Sequence, residues 1–166
     1  MNSVKGAADG SIEIRPIGKQ ELDDLLSLYT HLHESDDKMP PREYVDAVWS
    51  EIQHDPRQKC FGLFLEGSLV SSCVLTIIPN LTRGCRPYGV LENVVTHSAF
   101  RRQGLGHSLI TAALGFAWDR GCYKVMLLTG RKTESVFRFY ESAGFDRHSK
   151  QAFLAKPPSA ERNVSE

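Results

Sequence analysis

No stretch of this 166-residue sequence is apolar for long enough to cross a bilayer, and the opening MNSVKGAADG has no apolar run of signal-peptide length. Neither sign of charge dominates. Lys plus Arg and Asp plus Glu number 20 each, for a formal net charge of +0. No global field therefore draws the chain to nucleic acid or to an anionic membrane, and an anion site has to be built locally. Cysteines are few and form no pattern: Cys60, Cys73, Cys85 and Cys122 make no Cys-x-x-Cys, and the histidines near them do not complete zinc-finger spacing. The expectation is free thiols in a reducing, cytoplasmic setting and no metal. There is no internal repeat and no linker that would divide two domains. One domain over residues 11–156 is expected, with disordered tails at 1–10 and 157–166.

Hydrophobic residues make up 41% and charged residues 24%, enough to bury a real core in one soluble domain. Ser11–Ile17 reads as a short strand ending near Pro16. Lys19–His33 carries Leu22, Leu25, Leu26, Tyr29 and Leu32 at helical spacing, with acids in the first turn. Pro40–Pro41 opens a second helix whose face is Val45, Val48, Trp49 and Ile52. Between these helices HESDDKMP reads as a solvated connection or as a cover for a cleft. Strands Cys60–Glu66 and Leu69–Ile78 are joined by Gly67–Ser68, a tight hairpin signal. A strand at Val90–Thr96, a helix at 104–120, a strand at Tyr123–Leu128 and a helix at Thr133–Ala143 follow. Gly121 and Gly144 stop the two helices, and Phe145–Ala155 closes with one or two strands. Antiparallel strands first and a crossover later imply a mixed sheet with helices on both faces, an α+β domain.

The organising stretch is Tyr88–Arg120: a buried strand, a basic turn with two glycines, then a long amphipathic helix. Free amides at a helix start, the positive end of its dipole and two arginines share one concavity, which suits an anion such as pyrophosphate. The turn Arg101-Arg102-Gln103-Gly104-Leu105-Gly106 is not the P-loop pattern, since no Lys-Ser/Thr follows the second glycine. Nor is it G-x-G-x-x-G, because position 109 is Leu. Glu92 interrupts the apolar strand just upstream, in VLENVV. It is either a general base, its proton affinity raised by partial burial, or the outward residue of an alternating strand. Asn93 faces the other way in a regular strand, unless a bulge intervenes.

The run from Val94 to Ile110 resembles motif A of the GNAT superfamily of acyl-CoA-dependent N-acetyltransferases, whose core Arg/Gln-x-x-Gly-x-Gly/Ala is here Arg101, Gly104 and Gly106. FRFYESAGF, Phe137–Phe145, is similar to the family's motif B, and the likeness spans roughly Ser11–Ala155. LENVVTH and GCYKV also resemble the glucosamine-phosphate N-acetyltransferase branch, with Asn93 where that branch has Asp. The resemblance implies a sheet whose central strands splay, with the pantetheine arm of acetyl-CoA against Val94, Val95 and Thr96. It implies a pyrophosphate held by amides of Arg102, Gln103, Gly104, Leu105 and Gly106, with Arg101 nearby; His107, which flanks the turn, is expected to face solvent or phosphate. It also implies Tyr140 as the acid that protonates the leaving thiolate, where its place on an apolar helix face reads equally as packing. The family's Asn near the start of the last helix is absent from GRKTESV, leaving Thr133, Ser135 and Lys132 as substitutes.

The resulting expectation is transfer of an acetyl group from acetyl-CoA to a primary amine of a small molecule, by direct attack in a ternary complex. Arg83 and Arg86, in the loop before the central strand, together with Asn93, are the expected acceptor contacts. A homodimer is expected, with no nucleic-acid or membrane partner. The alternatives are a non-catalytic acyl-CoA-binding module, which a shared fold alone permits, and acetylation of peptides or proteins.

Overall fold

The computed structural model describes residues 11–32 and 37–157. The tails expected at 1–10 and beyond 157, and the first half of HESDDKMP (residues 33–36), lie outside the described residues. Five strands form one sheet in the order β1-β2-β3-β4-β5: Ile12–Pro16, Gln58–Leu65, Ser68–Ile78, Tyr88–Thr96 and Val125–Leu127. The first four run antiparallel and β5 lies parallel to β4. Four helices cover it: α1 (Leu22–Tyr29), α2 (Arg42–His54), α3 (Leu105–Asp119) and α4 (Glu134–Ser142). This is the α+β architecture with a mostly antiparallel mixed sheet.

Period-2 alternation in β2, β3 and β4 sends side chains to two separate cores. On one face Leu63, Cys73, Leu75 and Leu91 meet Leu109, Ile110, Ala113 and Ala117 of α3, with Phe139 and Tyr140 of α4 at the margin. On the other, Phe64 and Val74 meet Leu22 and Leu25 of α1 and Trp49 of α2. Each fully buried leucine contributes roughly 2 kcal/mol. The β2–β3 turn falls at Glu66–Gly67, one residue earlier than the glycine at 67 suggests. Both residues have left-handed φ, 50° and 81°, as a right-twisted two-residue hairpin requires.

The expected closing strands at Phe145–Ala155 do not form. Phe145 packs beside Tyr140, and Arg147 is ion-paired to Glu134 and Glu141 of α4, but Phe153 and Leu154 are 91% and 79% exposed. Among the described residues nothing covers their apolar side chains.

Candidate functional site

β4 changes character half-way along. From Gly89 to Leu91 it is laddered on both edges, to β3 and to β5. Beyond Leu91 and Leu127 the parallel pairing ends, so Glu92–Thr96 has no ladder partner on the β5 side. At the same point Ser72 pairs Val95 and Val74 pairs Glu92, which leaves Asn93 and Val94 together opposite Cys73. This is a β-bulge, and Asn93 takes the left-handed φ of 51° that it demands. A bulge shifts the alternation by one, so Val94 turns to the α3 core while Glu92 stays with Val74 on the α1 side.

A cavity of about 780 Å³ opens where the strands part. Its walls include Glu92, Asn93, Val94, Val95 and Thr96 of β4, the turn at Arg101, Arg102, Gly104, Leu105 and Gly106, and His107. Tyr140 of α4, Arg131 after β5, and His31 and Leu32 after α1 complete it. Glu92 and Tyr140, far apart in the chain, therefore border the same cavity. Five other expected contacts, Gln103, Thr133, Ser135, Arg83 and Arg86, are not among its lining residues. Gln103 hangs its side chain on the Ala99 carbonyl at 3.5 Å, and the Thr133 and Ser135 hydroxyls bond each other at 3.2 Å at the start of α4.

Arg83 and Arg86 are displaced furthest. Their loop enters the opposite end of β4, about 20 Å up-strand of the bulge at the usual rise per residue. There Arg83, Gly84 and Cys85 all have left-handed φ, and Arg86 donates to the Arg83 carbonyl at 3.2 Å. The chain's order put these arginines next to β4, but only the strand's direction says at which end.

The glycine turn is built by two different glycines. Gly104, with φ 80°, caps α3 and has open space where a Cβ would be. Gly106 packs tightly: a Cβ there would stand 3.1 Å from Thr96 Oγ1 and 3.2 Å from Phe139 Cζ. Ser108 makes the first α3 amide bond, to the Gly104 carbonyl at 3.0 Å. The amides of Leu105, Gly106 and His107 therefore have no intrahelical acceptor, which is the donor set a diphosphate takes. The Arg101 guanidinium is committed to the Thr96 and His31 carbonyls, at 3.1 and 3.0 Å. Arg102 makes no ion pair among the described residues. The His107 ring donates to the Ser142 carbonyl at 3.0 Å, so its side chain joins α3 to α4.

Burial first of all raises the Tyr140 phenol above its ordinary pKa. The Arg131 charge opposes this, and Glu92 and Cys73 add to it. A raised phenol keeps its proton at neutral pH, the form a proton donor needs. Behind the bulge, burial pushes the Tyr29 phenol up to about 12 although Asn93 and Ser72 pull the other way. No bond of standard geometry reaches the buried Ser72 Oγ. Cys73, the thiol nearest this wall in sequence register, is pushed up to about 12 by burial, which disqualifies it as a nucleophile. All four cysteines are free thiols. Among the described residues no three His, Cys, Asp or Glu side chains cluster for a metal, and no helix is long and apolar enough to cross a membrane.

The acetyltransferase (GNAT) family model matches residues 22–145. The chain belongs to this family. It is an acetyl-CoA-dependent acetyltransferase. A glucosamine 6-phosphate N-acetyltransferase of Trypanosoma brucei brucei is 34% identical over 148 residues, 86% of this chain and 95% of that protein. A solved candidate acetyltransferase of Agrobacterium tumefaciens str. C58 superposes with a TM-score of 0.81 at 40% identity, covering 87% of this chain and 99% of the other. A solved Trypanosoma brucei acetyltransferase gives 0.73 at 30% identity, covering 88% and 100%.

The cavity fits acetyl-CoA on its own terms. It offers an unladdered strand edge for an amide-bearing arm and helix-start amides without intrahelical acceptors for a diphosphate. No site role falls to Arg131 or His31 in the sequence, and Tyr29 has only its place on the apolar face of α1. The signal for Arg131 was its place in GRK directly after β5; nothing local marks the other two.

Proposed function

We propose that this acetyltransferase acts on the primary amine of a small molecule, by direct attack in a ternary complex. Glu92 takes the ammonium proton, directly or through water, so that the free amine can attack the thioester. Amides of the β4 bulge polarise the carbonyl as charge gathers on its oxygen. Tyr140 then gives its phenolic proton to the departing thiolate. Val94, Val95 and Thr96 hold the pantetheine arm, and the turn from Arg101 to His107 holds the diphosphate.

The observation that carries this reading is that Glu92 and Tyr140 line the same cavity at the mouth of the splay. A phosphate-bearing amine suits the lining, where Arg101, Arg102 and Arg131 face a single carboxylate, Glu92. The 34% identical Trypanosoma relative makes glucosamine 6-phosphate the first acceptor to try.

The test is thiol release from acetyl-CoA over a panel of glucosamine 6-phosphate, glucosamine, polyamines and short peptides. Stimulation by a small amine and its loss in Tyr140→Phe support the proposal. Stimulation by peptides alone would replace it with a peptide acetyltransferase, and acetyl-CoA binding without any stimulation with a sensing module.

The same reading includes a homodimer, supported by the exposed Phe153 and Leu154 and by the outer edge of β5. Sedimentation should give a dimer that Phe153→Asp dissociates; a monomeric parent chain ends that part.

A further inference from the structure

Two guanidinium groups bridge the mouth of the splay, one from the exit of each strand. Arg101, after β4, donates to the His31 carbonyl at 3.0 Å. Arg131, after β5, donates to the Leu32 carbonyl at 2.6 Å, across 99 residues of chain. His31 and Leu32 form the last turn after α1, and their amides bond back to the Leu28 and Tyr29 carbonyls at 3.0 and 2.9 Å. Their carbonyls are thus end-of-helix acceptors at the negative pole of a helix, where cations are favoured. No ladder bond joins β4 to β5 at this level. The two strand exits are instead held to a common third body, the end of α1, from which the chain runs on toward α2.

Arg131 also lines the same cavity as Tyr140 and Glu92, within electrostatic reach of the phenol. The groups that act on this phenol come from every neighbouring element: Glu92 on β4, Cys73 on β3 and Arg131 after β5. Phe139 and Phe145 complete its shell, with ring centroids 5.0 and 6.1 Å away. Arg131 is the cation among them.

We propose that Arg131 is a positioning residue with two separable effects: its guanidinium holds the end of α1 over the cleft, and its charge offsets Glu92 beside the Tyr140 hydroxyl. The first effect stands on geometry alone, and the second rests on Tyr140 being the proton donor. Because Arg131 is exposed, its removal leaves the core intact, and substitutions report on the site.

Two readouts on the whole chain need neither acetyl-CoA nor an acceptor, so their failure is distinct from failure of the proposed activity. In Arg131→Met, amide exchange at His31 and Leu32 should speed up about tenfold, since one carbonyl anchor is lost. The Tyr140 phenol, followed by carbon NMR of labelled tyrosine and identified with Tyr140→Phe, should titrate at higher pH than in the parent. Arg131→Lys keeps the charge but loses the forked reach. It should leave the titration in place while the exchange still quickens. Should Arg131→Met leave both the exchange and the titration unmoved, or should Arg131→Lys shift the titration as far as Met does, the proposal falls.

Discussion

The two halves of β4 obey different rules. Tyr88–Leu91 is bonded on both edges, and Gly89 lets Val125 and Leu75 close in to 3.0 and 3.1 Å of where a Cβ would sit. Glu92–Thr96 is bulged on one edge and unladdered on the other, and every one of its residues faces the cavity. The first half is satisfied by the protein itself, and the second has no ladder partner on the β5 side among the described residues. Unmet main-chain capacity at the end of a well-bonded strand is therefore a stronger pointer to function than any one side chain.

The comparison breaks most sharply at the chemistry. Tyr140→Phe should lower kcat about 100-fold while acetyl-CoA affinity changes less than about twofold, as expected for loss of a general acid. Glu92→Gln should cost about as much at neutral pH and recover as the pH rises, because solution then deprotonates the amine. Rates from thiol release and affinities from calorimetry decide both; equal losses in rate and affinity would assign these residues to binding.

Next come the glycines. Gly104→Ala forces a side chain into φ 80°, at about 1–2 kcal/mol, and should weaken acetyl-CoA binding as well as stability. Gly89→Ala, in the laddered half, should cost about 1 kcal/mol by crowding with no change in acetyl-CoA affinity. Urea melts with and without the coenzyme separate the two.

A smaller effect belongs to pH. Tyr29 has its folded pKa raised by burial from 10 to about 12. Its contribution to stability is complete below the unfolded pKa near 10 and is lost as the pH rises through 12, because the folded state holds the proton longer. Tyr29→Phe should flatten that part of the stability profile. Least affected is the loop at the laddered end: Arg83→Ala and Arg86→Ala should each change stability by less than about 0.5 kcal/mol and leave acceptor KM unchanged.

Much of this layout was legible in the sequence because it is local. The amphipathic faces of α1, α2 and α3, the glycines at 121 and 144, and the Arg-x-x-Gly-x-Gly turn carry their geometry in adjacent residues. What was not legible depends on pairs distant in the chain. The bulge at Asn93 exists only relative to Cys73 on the neighbouring strand. Arg131 acquires its partner from Leu32, and no pattern within GRKTESV specifies that. Arg83 and Arg86 stand next to β4 in the sequence, whereas the strand's length carries them to the end far from the cleft. FLA at 153–155 has strand-like composition, but composition does not supply a neighbour to pair with.

One consequence follows from the unladdered edge of β4. Hydrogen-bonding groups of the peptide backbone persist through every codon change except one to proline, so the proposed grip on the coenzyme would survive drift in the side chains around it. Selection can then rework Asn93, Arg131 and the chain after α1 toward a new acceptor without first rebuilding the donor site. A lineage with this scaffold can change what it acetylates by few genetic steps.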